Sequence, residues 1–270
     1  MNWIFLNKNN SDEYIEMFAA GSRTKPTCLE TWRYEDSTDP LVLRGIMKHK
    51  IIKRCWADGR QFYYMDSGYL GNRPNLSNPN GWKFYHRVVP NDLQHGDIID
   101  RPADRLQRLG ISIRPRQNHA RDILIVAPDQ KPCTFYDTSL ETWLKTTLET
   151  LKLHTDRPIR MRERPTSRLD RKTQKPEEWL NDVHAVVTFN STAATESVLA
   201  GVPVFVMAPC NAARPVANLD LSAVDSPWFP DQDQILEWAS HLAYGQFHID
   251  EFKNGSAERI LLQTEEMLGA

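Results

Sequence analysis

TFNSTAATESVLAGVPVFV, residues 188–206, holds a strand end, a polar turn, a short helix and the start of another strand. The run VHAVVTFN (183–190) leads in, and its valines favour extended backbone. Asn190, Ser191 and Thr192 break that run. Small residues from Ala193 to Ala200 carry a helix, which Gly201 closes ahead of Pro203. VPVFVM then restarts as a strand. A strand, helix and strand joined this tightly make parallel neighbours, so the fold class is α/β. The polar turn has two readings. Its side chains cap the helix, or the helix start and its short polar side chains hold a phosphate. Glu196 lies about one helical turn on, among small and apolar neighbours, and a carboxylate so placed needs a partner. Sugar hydroxyls and a nearby arginine both serve.

Outward from this stretch the same alternation recurs. RDILIVAP (121–128) reads as a buried strand, SLETWLKTTLETLKLHT (139–155) as an amphipathic helix, and RPIRMRER (157–164) as a strand. DQILEWASHLAYGQF and IDEFKNGSAERILLQTEEML read as closing helices. Upstream, NWIFL reads as a strand, SDEYIEMFAAG as a capped helix, PLVLRGIM (40–47) as a strand, and KHKIIKRCWADG (48–59) as a helix ended by Gly59. QFYYMDSGYLG is another strand, running into a glycine-punctuated loop. Between the two halves, residues 71–121 are turn-rich, basic and punctuated by proline, with KFYHRVVPN as one short strand. The reading is two α/β domains, 1–117 and 118–270, with the closing helices free to cross back.

The chain has 270 residues, 40% of them hydrophobic, and a formal charge of −2, which supplies no global pull toward nucleic acid or membrane. The charge is unevenly spread: from Arg101 to Lys175 it sums to +8, so the remainder carries −10. A solvated basic face and a site for phosphate-bearing ligands both fit. Cys28, Cys55, Cys133 and Cys210 form no CxxC pair, which argues against a zinc site or a disulfide framework and fits reduced thiols in the cytoplasm. The short apolar run at the start does not make a signal peptide, and no stretch reaches the roughly 18 apolar residues of a membrane span.

NSTAATESVLAGVPVFV resembles the nucleotide-binding segment of GT-B-type glycosyltransferases, among them polysaccharide-assembly enzymes and compact phage DNA-modifying enzymes. The resemblance implies two Rossmann-like domains (GT-B-like) facing across a cleft. The second would bind a nucleotide-diphosphate sugar through Asn190, Ser191 and Thr192 at the diphosphate and Glu196 at the ribose. Arg160 and Arg162 occupy the place where such enzymes supply cations. Alternate strand residues share a face, so the two guanidiniums would act together. "RER" stands where a His-Pro is frequent in those families. With no DxD pair flanked by apolar strand residues, the implied enzyme is metal-independent and needs no cofactor besides its nucleotide-sugar co-substrate.

The first domain would then hold the acceptor. Asp66, just past a strand, is placed to take a proton from an attacking hydroxyl, and the alternative is a turn-forming aspartate. Arg44 and Gly45 end the preceding strand on the same rim. Tyr69, Trp82, Tyr85 and His86 offer rings for a sugar or a flipped base. His86, Asp92 and His95 are the reserve candidates for the base. The resemblance to phage enzymes implies a hydroxymethylated base in double-stranded DNA as acceptor. A sugar-nucleotide epimerase or hydrolase of the same fold, and a non-catalytic nucleotide- or DNA-binding module, are the competing readings.

Overall fold

The computed structural model describes residues 2–8, 12–71, 84–117, 120–162 and 176–268. In chain order its strands are β1 Ile4–Asn7, β2 Thr27–Cys28, β3 Leu41–Arg44, β4 Phe62–Ser67, β5 Tyr85–Pro90, β6 Asp122–Val126, β7 Ile159–Arg162, β8 Val183–Thr188, β9 Val204–Val206 and β10 Gln246–His248. The helices are α1 Glu13–Gly21, α2 His49–Asp58, α3 Asp104–Arg108, α4 Gln130–Phe135, α5 Leu140–His154, α6 Pro176–Trp179, α7 Ala193–Leu199, α8 Gln232–Tyr244, α9 Ile249–Lys253 and α10 Ser256–Leu268.

The strands form two sheets. One has the order β10-β5-β4-β3-β1-β2 and the other β7-β6-β8-β9. The second is wholly parallel. In the first, β1 to β4 run parallel, while β5 lies antiparallel to both β4 and β10. The α/β class expected from the sequence is the one observed.

Each sheet has its own core. Around the first, Trp3, Phe5, Phe18, Tyr63, Phe247 and Phe252 are buried together, with Trp3 and Tyr63 ring centroids 4.4 Å apart. Around the second the fill is mostly aliphatic, from Ile123, Ile125, Val187, Leu151 and Leu221, with Trp143 and Phe189 at one end. Both patterns follow from strands buried on two faces.

The chain divides into two compact units, but not at residue 117. The described residues up to Leu93, with Ala243 onward, form the first unit, and Gln94 to Leu242 form the second. The irregular segment after Leu93 belongs to the second unit because its backbone bonds there. The Arg114 amide donates to the Leu199 carbonyl at 2.9 Å, and the Gln117 amide to Gly201 at 2.8 Å. The chain's end returns because β10 completes the first sheet beside β5. There Gln246, fully buried, accepts from the Tyr69 and Leu70 amides and donates to the Leu70 carbonyl.

That return corrects one expectation. YGQF was read as the end of a helix, whereas Gln246–His248 is a strand. The last helix is also broken. Gly255, at φ 75°, separates α9 from α10 where Gly21 of α1 comes so close that a Cβ would lie 1.7 Å from the Phe252 carbonyl oxygen.

Candidate functional site

Strand order locates a crevice in each unit. In the second sheet, β6 is followed by β7 on one side and then β8 on the other, so connections from the carboxyl ends of β6 and β8 diverge. Open α/β sheets bind ligands outside the carboxyl ends at such a switch point. Thr188, at the end of β8, ties the two strand ends together by donating its hydroxyl to the Val126 carbonyl at 2.8 Å.

Beyond Thr188 lies the Asn190–Thr192 turn. The Asn190 carbonyl accepts from Gln94 Nε2 at 3.2 Å, and the same buried side chain accepts from the Ala212 amide at 2.9 Å. Gln94 thus braces the loops after β8 and β9. Ser191 Oγ accepts from the Ala193 amide at 3.2 Å, and its carbonyl accepts from Ala194. The Glu196 amide donates to the Thr192 carbonyl. Two amides of the helix start that the sequence reading offered to a phosphate, those of Ala193 and Ala194, are therefore already bonded within the turn.

What the turn still presents is side chains. Thr192 is exposed and makes no capping hydrogen bond through its hydroxyl. Glu196 is half-buried, while Ala193, Ala194, Thr195, Ser197 and Val198 around it are buried. Water reaches the carboxylate at least in part, which eases the burial cost expected from sequence.

The two arginines of β7 do not act as a pair at this edge. Arg160 Nε lies 2.7 Å from Asp122 Oδ2, and its Nη2 donates to the Asn181 carbonyl at 2.9 Å. Asp122 opens β6 and Asn181 precedes β8, so Arg160 serves the opposite, amino-terminal end of the sheet. Asp122 is buried there and also meets Arg121 Nε at 2.9 Å. Arg162 ends β7 with its guanidinium 4.1 Å from the Trp179 ring centroid.

In the first sheet β1 lies between β2 and β3, so the switch point falls between the carboxyl ends of β1 and β3. Its walls are charged. Asn7, fully buried at the end of β1, donates to Glu16 and accepts from the Asp12 amide at 3.0 Å. Asp12 caps α1, accepting from the Tyr14 and Ile15 amides. Its Oδ2 lies 3.2 Å from Arg44 Nη1, and the Arg44 guanidinium sits 4.6 Å from the Tyr14 ring centroid.

Gly45 follows at φ 85°, where a Cβ would meet no atom within 4 Å. Lys48 Nζ turns back to donate to the Arg44 carbonyl at 2.5 Å. Burial lowers the Lys48 ammonium below the usual lysine range, and Arg44 and Lys8 add to this while Asp12 opposes it.

One strand over, Asp66 pairs in register with Arg87. Its Oδ2 accepts from the Tyr64 hydroxyl at 2.7 Å and faces Arg87 Nη2 at 3.5 Å, and its Oδ1 accepts from the Ser67 amide at 2.7 Å. Burial pulls the carboxyl upward, but Arg87, the Tyr64 hydroxyl, the Ser67 amide and Arg44 outweigh it and hold Asp66 below the usual carboxylate range. The side chain remains 36% exposed. Asp66 is a reachable, fully ionised carboxylate at neutral pH.

The aromatic candidates separate from this edge. His86 is buried, with its ring centroid 4.0 Å from that of Tyr14. Tyr69 is buried as well, under the Arg87 guanidinium at 5.2 Å. Both rings are spent on packing. Tyr85 is half-buried with its ring against His248, and Trp82 lies outside the described residues. Of the reserve bases, Asp92 accepts from the Leu93 amide and the His95 ring packs edge-on against His241 at 5.2 Å.

Sequence reasoning missed Asp12, Lys48 and Arg87 as members of the site. Asp12 was visible as a helix cap and Lys48 as part of a basic KHK run. Arg87 carried no signal, because only strand pairing sets it beside Asp66. Among the described residues, no three His, Cys, Asp or Glu side chains gather as metal ligands.

No protein-family model matches the chain, and no curated protein matches it either. Solved structures do. One is KpsC of Thermosulfurimonas dismutans, described as a beta Kdo 2,4 transferase, with TM-score 0.51 and 12% identity over 97% of this chain and 98% of that one. A second, described as the beta Kdo 2,7 transferase of the same protein, has TM-score 0.43 and 11% identity over 94% and 99%. At such identity the first likeness concerns the fold, which the two chains share along almost their whole length.

Proposed function

We propose that the chain is a glycosyltransferase that moves a sugar from a nucleotide sugar to a hydroxyl acceptor. The carrying observation is the full-length likeness in fold to a Kdo transferase, at TM-score 0.51, in a chain with a switch-point crevice in each unit. The second unit is the donor side in this reading. Thr192 and Ser191 hydroxyls contact the donor phosphates, the Asn190 turn positions them, and Glu196 accepts from ribose hydroxyls. Arg162 is the nearer cation, and Arg160 is a structural ion pair.

The first unit is the acceptor side. The acceptor oxygen forms a bond to the anomeric carbon, the bond from that carbon to the donor phosphate oxygen breaks, and the hydroxyl proton passes to Asp66. An aspartate held low is a weak base, so Asp66 contributes near the lower end of the usual range, about 10²-fold. Leaving-group charge falls to dipoles and side chains and not to a metal in this reading, and full activity in a chelator is expected.

The test is a panel of nucleotide sugars. Donors that bind raise the melting temperature by mass action, and each such donor is then given with labelled sugar and a set of hydroxyl acceptors. Transfer of label to an acceptor supports the proposal. Release of free sugar, or an epimerised donor, supports the hydrolase or epimerase reading instead, and binding without turnover supports a non-catalytic module. Hydroxymethylated duplex DNA belongs in the acceptor set, where steep loss of activity between about 50 and 200 mM salt would mark a nucleic-acid substrate. Nothing in the fold likeness favours that acceptor.

A further inference from the structure

We propose that the crevice between the carboxyl ends of β1 and β3 is an anion subsite, where Arg44 and Lys48 hold a carboxylate or phosphate carried by the acceptor. The subsite's place in the reaction rests on the glycosyltransferase reading; its chemistry does not.

Four observations converge. The crevice is the topological switch point of the first sheet, the position at which such sheets bind ligands. Arg44 and Lys48 both follow β3 into it, and Lys48 spends one of its three N–H donors on the Arg44 carbonyl. The backbone between them is uncovered at Gly45, where an added Cβ would touch nothing within 4 Å. Finally, α2 begins against its own dipole, with Lys48, His49 and Lys50 at its start, no acidic residue in the first turn and no side-chain cap. The positive end of a helix favours anions. By contrast α1, on the other side of the crevice, has Asp12 as cap and Glu13 and Glu16 in its first turn.

Among the described residues, the carboxylates present answer these cations only in part. Asp12 divides itself between the α1 cap and Arg44. Lys8 lies within electrostatic reach of Lys48 and joins Arg44 in repelling it, while Asp12 and Glu30 offset part of that repulsion. An incoming oxyanion relieves it. Guanidinium and ammonium together suit carboxylate and phosphate, one as a planar fork and the other as a point charge.

Calorimetry on the full chain tests this, with inorganic phosphate, glucuronate and glucose 6-phosphate as probes, neutral glucose as control, and nucleoside mono- and diphosphates as the competing source of phosphate. The acidic probes should bind and glucose should not. Lys48→Met should weaken the acidic probes by about 10- to 100-fold, the loss of one charged hydrogen bond. Lys48→Arg should recover most of that, and nucleotide binding should stay unchanged in both. Melting curves confirm that each variant is folded, and Arg44→Lys supplies a second variant if Lys48→Met is not. Equal binding of acidic probes by wild type and a folded Lys48→Met would overturn the subsite. Loss of nucleotide binding in Lys48→Met would reassign the cations to the donor phosphate and equally defeat the acceptor proposal. If acidic probes follow Lys48 while no nucleotide sugar binds at all, the subsite stands and the glycosyltransferase reading fails. Transfer to neutral acceptors alone, with Lys48 irrelevant, gives the reverse.

Discussion

The carboxyl edges of the two sheets are built from different chemistry. The first is lined by Asp12, Arg44, Lys48, Asp66 and Arg87, partly buried charges of which Arg44 pairs with Asp12 and Arg87 with Asp66, while Lys48 bonds a backbone carbonyl. The second presents Thr188, Asn190, Ser191, Thr192 and the bracing amide of Gln94, with the Glu196 carboxylate about one helical turn beyond. Its ion pairs sit at the opposite end, around Asp122. A charged edge suits recognition of charged groups, because paired ions hold their protonation states firmly. A turn of hydroxyls and amides suits a ligand that brings its own charge. In the proposed reaction, this difference is the reason for placing the acceptor on the first unit and the donor on the second.

The largest expected effect lies at a buried titratable group of the second unit, His241. This imidazole is 4% exposed, and its Nδ1 accepts from the Ile99 amide at 3.3 Å. Burial, with Arg101 adding and Asp97 opposing, pushes it down from 6.5 to about 4. The unfolded chain therefore binds the extra proton between those values. Stability should be flat above pH 6.5 and fall as pH drops toward 4, by up to ~3 kcal/mol. Denaturant unfolding of wild type and His241→Gln across that range should give curves that converge in acid. Parallel curves would mean that the site tolerates a charge.

On the charged edge, Asp66→Asn should lower turnover about 10²-fold at saturating donor, or about 2.7 kcal/mol in the barrier, with donor affinity unchanged. Near-normal turnover would leave Asp66 as the partner of Arg87 and Tyr64 and move the search for a base to Asp12. A smaller effect is expected across the comparison. Glu196→Ala should weaken donor binding by about 1–2 kcal/mol, since a half-buried carboxylate loses charged hydrogen bonds to hydroxyls. Unchanged affinity by calorimetry would make Glu196 a structural residue and leave the ribose contact to other groups.

The smallest effect is the most discriminating about place. Arg160→Ala should change donor affinity by less than about 0.5 kcal/mol while lowering the melting temperature, because its partner Asp122 is buried and Arg160 itself is half in water. A large loss of donor affinity would return Arg160 to the carboxyl edge and undo the separation of the two ends.

Much of this was legible in the chain of letters. Asp12 before α1, Gly59 after α2 and the valines of β8 act through neighbours a few residues away, so caps, turns and strand runs could be read locally. The polar turn at Asn190–Thr192 was visible for the same reason. Strand order was not, and with it went the two switch points, since the pairing of β1 with β3 or of β8 with β6 depends on contacts between distant segments. Gln246–His248 was read as helix because three residues carry little pattern, and only the open side of β5 makes them a strand. The boundary at residue 117 failed likewise, because Gln94 and Arg114 are polar linker residues until their bonds to the second unit are known. The direction of Arg160 was beyond any local rule. Alternation sets the face on which a side chain leaves a strand, whereas the end toward which a long flexible one bends is chosen by the charge that awaits it, and Asp122 awaits at the amino end.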